Sequence, residues 1–462
     1  MLWLYRLAFL PVLILLAPFY AWRTRRRSPY GAFRHRLGAL PRLPPKREGC
    51  RRVWLQAVSV GELLAAGPVI EALLARPDFE LVLTTTTSTS QQLAQQRYAG
   101  KAAAVACFPI DFWPAMALAW RRLQPDLALL TEGERWPEFI AQARRHDAPV
   151  LCINARIGER SFRRMRAFRA IVPRLLGGIA RLLAVSPPDA ARFRQLGFTA
   201  AQVEITGNLK VDTVLPSLDP AARAATRVEL GFGPADLVLL GASTWPGEER
   251  ALLRAWQQAR HRLPPDRPVR LLLVPRHAER RAEVEALVAR EGLRHRLRTR
   301  GEVGGEIDVC IADTTGELPR LTQLADVVFV GKSLPPHSGG QTPVEAAGAG
   351  RALLFGPGMT NFRTIAGALE DCGAAWRVQN EAALIAAAIK LLSDPAERDA
   401  LGAAGRAWHQ ANRGALARTL QAIDQVAALR AAAGRKPKTI AGRRIDQASR
   451  GFGDASEPSV VA

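Results

Sequence analysis

Several short stretches place ionisable side chains directly after apolar runs, where a folded chain turns outward. In "VWLQAVSVGELL" a small polar turn, Ser59 to Gly61, leads to Glu62. An acid there complements the dipole of a starting helix, with Ser59 as its N-cap; it is also placed to take a proton. In "LLTEGERWPEF" Glu132 and Glu134 come after another apolar run. Paired carboxylates can hold protons or orient sugar hydroxyls, or they can be solvated loop acids. "NARIGERSFRRMR" gathers Arg156, Arg160, Arg163, Arg164 and Arg166. These guanidinium forks suit carboxylate or phosphate, or form a basic helix face. "ITGNLKVD" carries a Gly207–Asn208 turn from which Lys210 projects, as a functional group or a surface lysine.

The second half has its own set. In "GASTWPGEERALL" Ser243 and Thr244 precede Pro246 and Glu248–Glu249, a helix-start signature that also exposes free N–H groups to an anion. "LLLVPRHAERR" ends an apolar run on Pro275, Arg276 and His277, able to grip a phosphate or a base edge, or simply solvated. "TTGELPRL" sets Thr315, Gly316 and Glu317 at a helix start; the acid answers a dipole or accepts from a ribose. "SGGQTPVEAAGAG" supplies glycines that let backbone approach a ligand. In it Thr342 can cap, Pro343 suits the first helical turn, and Val344 and Glu345 lie just inside. It is neither a Walker A loop nor a G-x-G-x-x-G loop.

Something must position these groups. The first half offers "VWLQAV", "ELVLTTTTSTS", "AAVACFPI", "DLALLTEGE", "PVLCINARI" and "RLLAVSPPD". After a break near Leu215 to Pro234 come "DLVLLGAST", "VRLLLVPRH", "DVCIADTTGEL", "DVVFVGKS" and "RALLFGPG". Continuous apolar runs bounded by polar turns are strands buried on both faces. Alternating with helices, they predict an α/β chain of two Rossmann-like domains facing across a cleft, with ligands at the carboxyl ends of the strands. The expected units are residues 28–215 for an acceptor and 216–435 for a donor. Residues 436–462 read as a solvated, disordered basic tail.

The ends and the composition narrow the partners. Residues 7–22 carry no charge and lead into "RTRRR". Positive charge after the apolar run keeps the downstream chain in the cytoplasm, so residues 1–27 read as a retained N-terminal membrane anchor, spanning or interfacial. Net charge is +22 on 462 residues, which draws anionic partners, among them a lipid surface. No RNA-binding signature is present, so nucleic acid is not expected. Five scattered cysteines without C-x-x-C, and few histidines, predict neither a disulfide framework nor a metal site.

In order along the chain, "AVSVGE", "TEGERWPE", "NARIGERS", "TGNLKVD", "ASTWPGEE", "VPRHAER", "DTTGEL", "VFVGKSL" and "GGQTPVEAAGAGRALLFGP" resemble the Kdo transferases. These add 3-deoxy-D-manno-oct-2-ulosonic acid (Kdo) from CMP-Kdo to lipid A precursor, lipid IV-A, in lipopolysaccharide core biosynthesis. The resemblance runs from the N-terminus to about Leu369. It implies a metal-independent GT-B glycosyltransferase with no cofactor, anchored at the inner membrane with its catalytic domains on the cytoplasmic side. By the same resemblance Glu62 is the general base, and Glu132 and Lys210 stabilise the transition state. Pro275 and Arg276, Thr315 to Glu317, and Thr342 to Glu345 contact CMP.

The chain departs from the family's pattern at named positions. Gln341 and Thr342 stand where it has His and Asn, Trp245 where it has His, Gly133 where it has Thr, and Lys332 where it has Gly. A GT-B transferase using another nucleotide sugar, or a catalytically silent lipid-surface relative, also fits the residues.

Overall fold

Buried parallel strands are made by runs such as "RRVWLQA", whose side chains face helices on both sides of a sheet. This computed structural model describes residues 2–9, 11, 32–212, 218–300 and 306–434. Among them are two seven-stranded sheets with the strand pairs parallel throughout.

The first sheet contains β1 (Arg51–Ala57), β2 (Phe79–Thr85), β3 (Ala104–Cys107), β4 (Leu127–Thr131), β5 (Val150–Ala155), β6 (Ile179–Ala184) and β7 (Val203–Ile205), in the order β3-β2-β1-β4-β5-β6-β7. The second contains β8 (Leu237–Thr244), β9 (Val269–Pro275), β10 (His295–Leu297), β11 (Val309–Ile311), β12 (Val327–Val330), β13 (Ala352–Phe355) and β14 (Ala375–Arg377), in the order β10-β11-β9-β8-β12-β13-β14. Each sheet is packed on both faces by an apolar cluster. The expected α/β architecture is present. Strands β7, β10 and β14 were not expected: each is a three-residue edge strand, "VEI", "HRL" and "AWR", too short and polar for a continuous apolar run.

The last helix, Ala415–Gly434, falls within the stretch expected to belong to the second unit. Its Ala415, Ala422, Ile423 and Val426 instead pack with Val53, Leu55 and Ile70 of the first half. Arg76 pairs with Asp424 at 2.7 Å and Arg430 with Asp126 at 2.8 Å on the same surface. The chain therefore passes between the sheets twice. At the crossing, the carboxylate of Asp212 accepts the N–H of Gly414 at 2.6 Å and that of Leu416.

The expected anchor is only partly within view. Residues 1, 10 and 12–27 lie outside the described residues, as does the expected tail, 436–462. Among the described residues no helix is long and apolar enough to cross a membrane. Helical residues 2–9 lie against the first half instead. Tyr5 donates to Asp111 Oδ2 at 2.8 Å, and Arg6 makes two bonds to Glu138, at 2.8 and 2.9 Å. Trp3, Leu4 and Leu7 remain exposed, as does Trp113 beneath Arg6.

Ile423 tests the shared last helix. It is fully buried, so Ile423→Ala should lower unfolding free energy by about 2–5 kcal/mol. Hydrogen exchange should report loosening at β1, more than 300 residues away in sequence. Protection lost only around β8 to β14 would contradict this packing.

Candidate active site

At the mouth of the first sheet the backbone turns sharply to release side chains. Ser59 caps the helix Val60–Leu74, its hydroxyl accepting the N–H of Glu62 at 3.3 Å. The capping expectation is thus met, and the Glu62 carboxylate has further partners. Its Oε2 accepts from the Val58 N–H and the Thr131 hydroxyl, both at 2.8 Å. Its Oε1 has only a long contact to Ser59, at 3.4 Å. One oxygen is therefore anchored and the other is lightly held. Burial pushes the Glu62 carboxyl above its ordinary range, and these hydrogen bonds and the neighbouring Glu132 charge act more weakly. A desolvated carboxylate with one oxygen available is suited to proton abstraction.

Glu132, just after β4, has a φ of 47°, and Asn154 near the end of β5 has 51°. These left-handed turns bring the two side chains together. Glu132 is buried and accepts from Arg156 Nε at 2.7 Å and Asn154 Nδ2 at 3.4 Å. Arg156 is on Oε2, while Lys210 Nζ lies 3.2 Å from Oε1, the oxygen that Asn154 also reaches. Asn154 Oδ1 in turn accepts the Leu209 N–H at 3.0 Å, which fixes the short helical turn bearing Lys210. The structure thus joins Glu62, Glu132 and Lys210 in one cluster at the ends of β1, β4 and β5. Asn154 and Thr131 are members the sequence reading did not single out. The clue was available: an asparagine at the end of the buried run "VLCINA" needs a reason to be there.

Glu134 lies beside them and is pushed up to about 7, first by burial and then by the charge of Glu62. It lines an apolar hollow of about 540 Å³ together with Trp136, Met165, Phe168, Ile171 and Leu175. Arg160, Arg163, Arg164 and Arg166 are exposed on the helix at its rim.

The second sheet's candidates leave neighbouring strands. Pro275 ends β9, and the Arg276 N–H donates to the Thr244 carbonyl at 3.1 Å. Gly316 has a φ of 89°, with open space where a β-carbon would stand. Glu317 accepts from Arg298 at both oxygens, at 2.8 Å each, and this pair holds its carboxyl below the usual range. The Thr342 hydroxyl accepts the Val344 N–H at 3.3 Å. Glu345 Oε2 has no hydrogen-bond partner, and burial raises its carboxyl. Glu248, read from sequence as part of a helix start, does more. Its two oxygens accept the N–H groups of Trp245, Lys332, Ser333 and Leu334 at 2.8–3.1 Å, binding the loop after β8 to the loop after β12.

The two mouths meet. Lys210 Nζ stands 5.6 Å from the centre of the Phe362 ring, and the N–H of Asn361 donates to the Gly339 carbonyl at 2.9 Å. The Glu132–Lys210 pair is therefore two contacts from the glycine-rich turn.

Two parallel sheets opposed in this way are the framework of two-domain glycosyltransferases. A solved glycosyltransferase from Rickettsia africae matches it with a TM-score of 0.52 at 13% identity, over 82% of this chain and 98% of that one. The description "3-Deoxy-D-manno-octulosonic-acid transferase (kdotransferase)" fits residues 31–213. A 3-deoxy-D-manno-octulosonic acid transferase of Bordetella pertussis is 36% identical over 384 residues, covering 80% of this chain and 86% of the relative. One of Haemophilus influenzae is 29% identical over 374 residues, covering 80% and 86%. The chain belongs to the 3-deoxy-D-manno-octulosonic acid transferase family. It is a glycosyltransferase enzyme.

The raised Glu134 carboxyl makes stability depend on pH. Folded, it keeps its proton to about pH 7; unfolded, it loses it near the ordinary value of 4.5. Between those values the folded chain holds the extra proton, so this contribution is present below the window and is lost as pH rises through it. Glu134→Gln should therefore gain stability relative to wild type from about pH 5 to about pH 8 in denaturant titrations. A difference that stays constant with pH would refute the assignment.

Proposed function

We propose that the enzyme transfers Kdo from CMP-Kdo to a lipid A precursor of the lipid IV-A type, in lipopolysaccharide core biosynthesis. The observation that carries this reading is the cluster at the first sheet's mouth, where a lightly held Glu62 oxygen sits beside the Glu132–Lys210 pair. In the proposed reaction Glu62 takes the proton of an acceptor hydroxyl. That oxygen attacks the anomeric carbon, and the bond from that carbon to the CMP phosphate oxygen breaks. Positive charge grows on the sugar and negative charge on the departing phosphate. Glu132 and Lys210, held at fixed distance, stabilise the transition state. The side-chain cations meet the leaving phosphate, and the reading assigns no metal and no cofactor.

CMP is assigned to the second sheet's mouth. Pro275 and Arg276 border it, the open backbone of Gly316 admits the nucleoside, and Glu317 accepts from ribose. Thr342, Pro343, Val344 and Glu345 form the far wall. Support comes from the unpaired Glu345 oxygen and the empty approach to Gly316.

The acceptor reading has its own support. The apolar hollow beside Glu134 suits acyl chains, and the arginines at its rim suit the phosphates of a lipid. The short N-terminal helix that carries the exposed Trp3, Leu4 and Leu7 is tied through Arg6 to Glu138 at the start of the helix Pro137–Arg145. Pro137 of that helix lines the same hollow, and Arg6 also covers the exposed Trp113. We assign this side to the cytoplasmic face of the inner membrane, with the N-terminal segment as its anchor.

The direct test is incubation of the full chain with CMP-Kdo and lipid IV-A, with mass analysis of the product. Product with other nucleotide sugars and none with CMP-Kdo would reject the donor assignment. Glu62→Gln should lower transfer roughly a hundredfold or more, while CMP affinity stays within about a few-fold. Near wild-type turnover in that variant would remove Glu62 as the base.

A further inference from the structure

In the second sheet the strand order runs outward from β8, through β9 on one side and through β12 on the other. Ligands of open parallel sheets bind in the crevice at such a reversal, outside the carboxyl ends. The loops flanking this crevice come after β8 and β12. Trp245 leaves the first and Lys332 the second. Both are positions where the chain departs from the family's pattern, and the two replacements touch each other.

Lys332 Nζ lies 4.3 Å from the centre of the Trp245 ring. The Lys332 backbone has a φ of 58°, a conformation that glycine adopts freely and lysine rarely does. It is fixed there from both sides: the Lys332 N–H donates to Glu248 at 2.8 Å, and its carbonyl accepts the Gly340 N–H at 3.0 Å. Its Cε is 3.6 Å from where a β-carbon on Gly339 would stand, so the stem runs along the glycine-rich turn. Trp245 Nε1 is buried without a hydrogen-bond partner.

The charged and titratable groups facing the pair are nearly all basic. His277 and His337 pack on the Trp245 ring at 5.5 and 5.7 Å, and Arg276 is next in the chain. The carboxylate against the pair, Glu248, is occupied by its four backbone N–H groups. Among the described residues Lys332 forms no ion pair. A cation held over an aromatic ring, beside an open glycine turn and with no acidic partner, is a site for an anion.

We infer that Lys332, held against Trp245, grips the donor's phosphate at this crevice and replaces the polar side chains absent from the Gly-Gly-Gln-Thr turn. The inference rests on the donor reading above and adds a binding residue particular to this chain.

Calorimetric titration of the full chain with cytidine, CMP and CMP-Kdo tests it. Glycine suits the backbone at 332, so Lys332→Gly should keep or raise the melting temperature. Its affinity for CMP and for CMP-Kdo should fall roughly tenfold or more, with cytidine binding unchanged. Lys332→Met, which keeps the stem without the charge, should behave alike. Trp245→Ala should weaken CMP in the same sense and add little in combination with Lys332→Gly. Unchanged CMP affinity in Lys332→Gly would overturn the inference. So would an equal loss for cytidine, a loss for CMP-Kdo alone (which points to the sugar carboxylate), or a lowered melting temperature. If the unaltered protein binds no CMP, the donor reading itself fails. If it binds CMP and only the variants behave otherwise, the donor reading stands and this inference does not.

Discussion

A strand buried on both faces has no room for a polar side chain until it leaves the sheet, and it must then turn hard. That constraint shapes both mouths of this enzyme. Among the described residues, Glu132, Asn154, Ser243 and Lys332 have a positive φ at or just after the carboxyl end of a strand. Such backbone is unfavourable for residues with a β-carbon and persists where surrounding contacts over-determine it. Here those contacts are visible: Arg156 and Lys210 on Glu132, the Leu209 N–H on Asn154, and Glu248 under Lys332. The polar groups gathered at the candidate site are also the groups that hold the turns open.

The two sheets repeat one plan with different outcomes. Each reverses its strand order about its first strand, and in each a glutamate opens the next helix. Both glutamates are desolvated and raised. Glu248 gives all its accepting capacity to four backbone donors and acts as a rivet between loops. Glu62 receives two donors on one oxygen and leaves the other lightly held. The number of donors aimed at a carboxylate, more than its burial, separates an acid with both oxygens occupied from one with an oxygen left available here.

That difference marks what was legible in the sequence. The other eleven strands announce themselves as apolar runs, because burial on both faces leaves no other composition. The three short edge strands, at Val203, His295 and Ala375, carry no such signal, since an edge needs only a few backbone bonds. The site's members were legible as polar clusters after apolar runs. Their roles were not: Glu62 and Glu248 share a helix-start signature, and only the folded positions of Thr131 and of the β12 loop tell them apart. Asn154 was readable as an oddity in "VLCINA", but its link to Leu209 spans 55 residues and depends on tertiary geometry. The homing of the last helix onto the first sheet was likewise invisible, because an amphipathic pattern does not name the surface it covers.

The double passage between the sheets has a consequence for how the chain can be divided. Residues 32–212 lack the helix that completes their own core. A cut after the first sheet would therefore leave an orphaned apolar groove, whereas the second sheet keeps its interior intact without that helix. The halves are asymmetric in self-sufficiency: one can stand as a module, while the other must borrow its lid from the far end of the polypeptide.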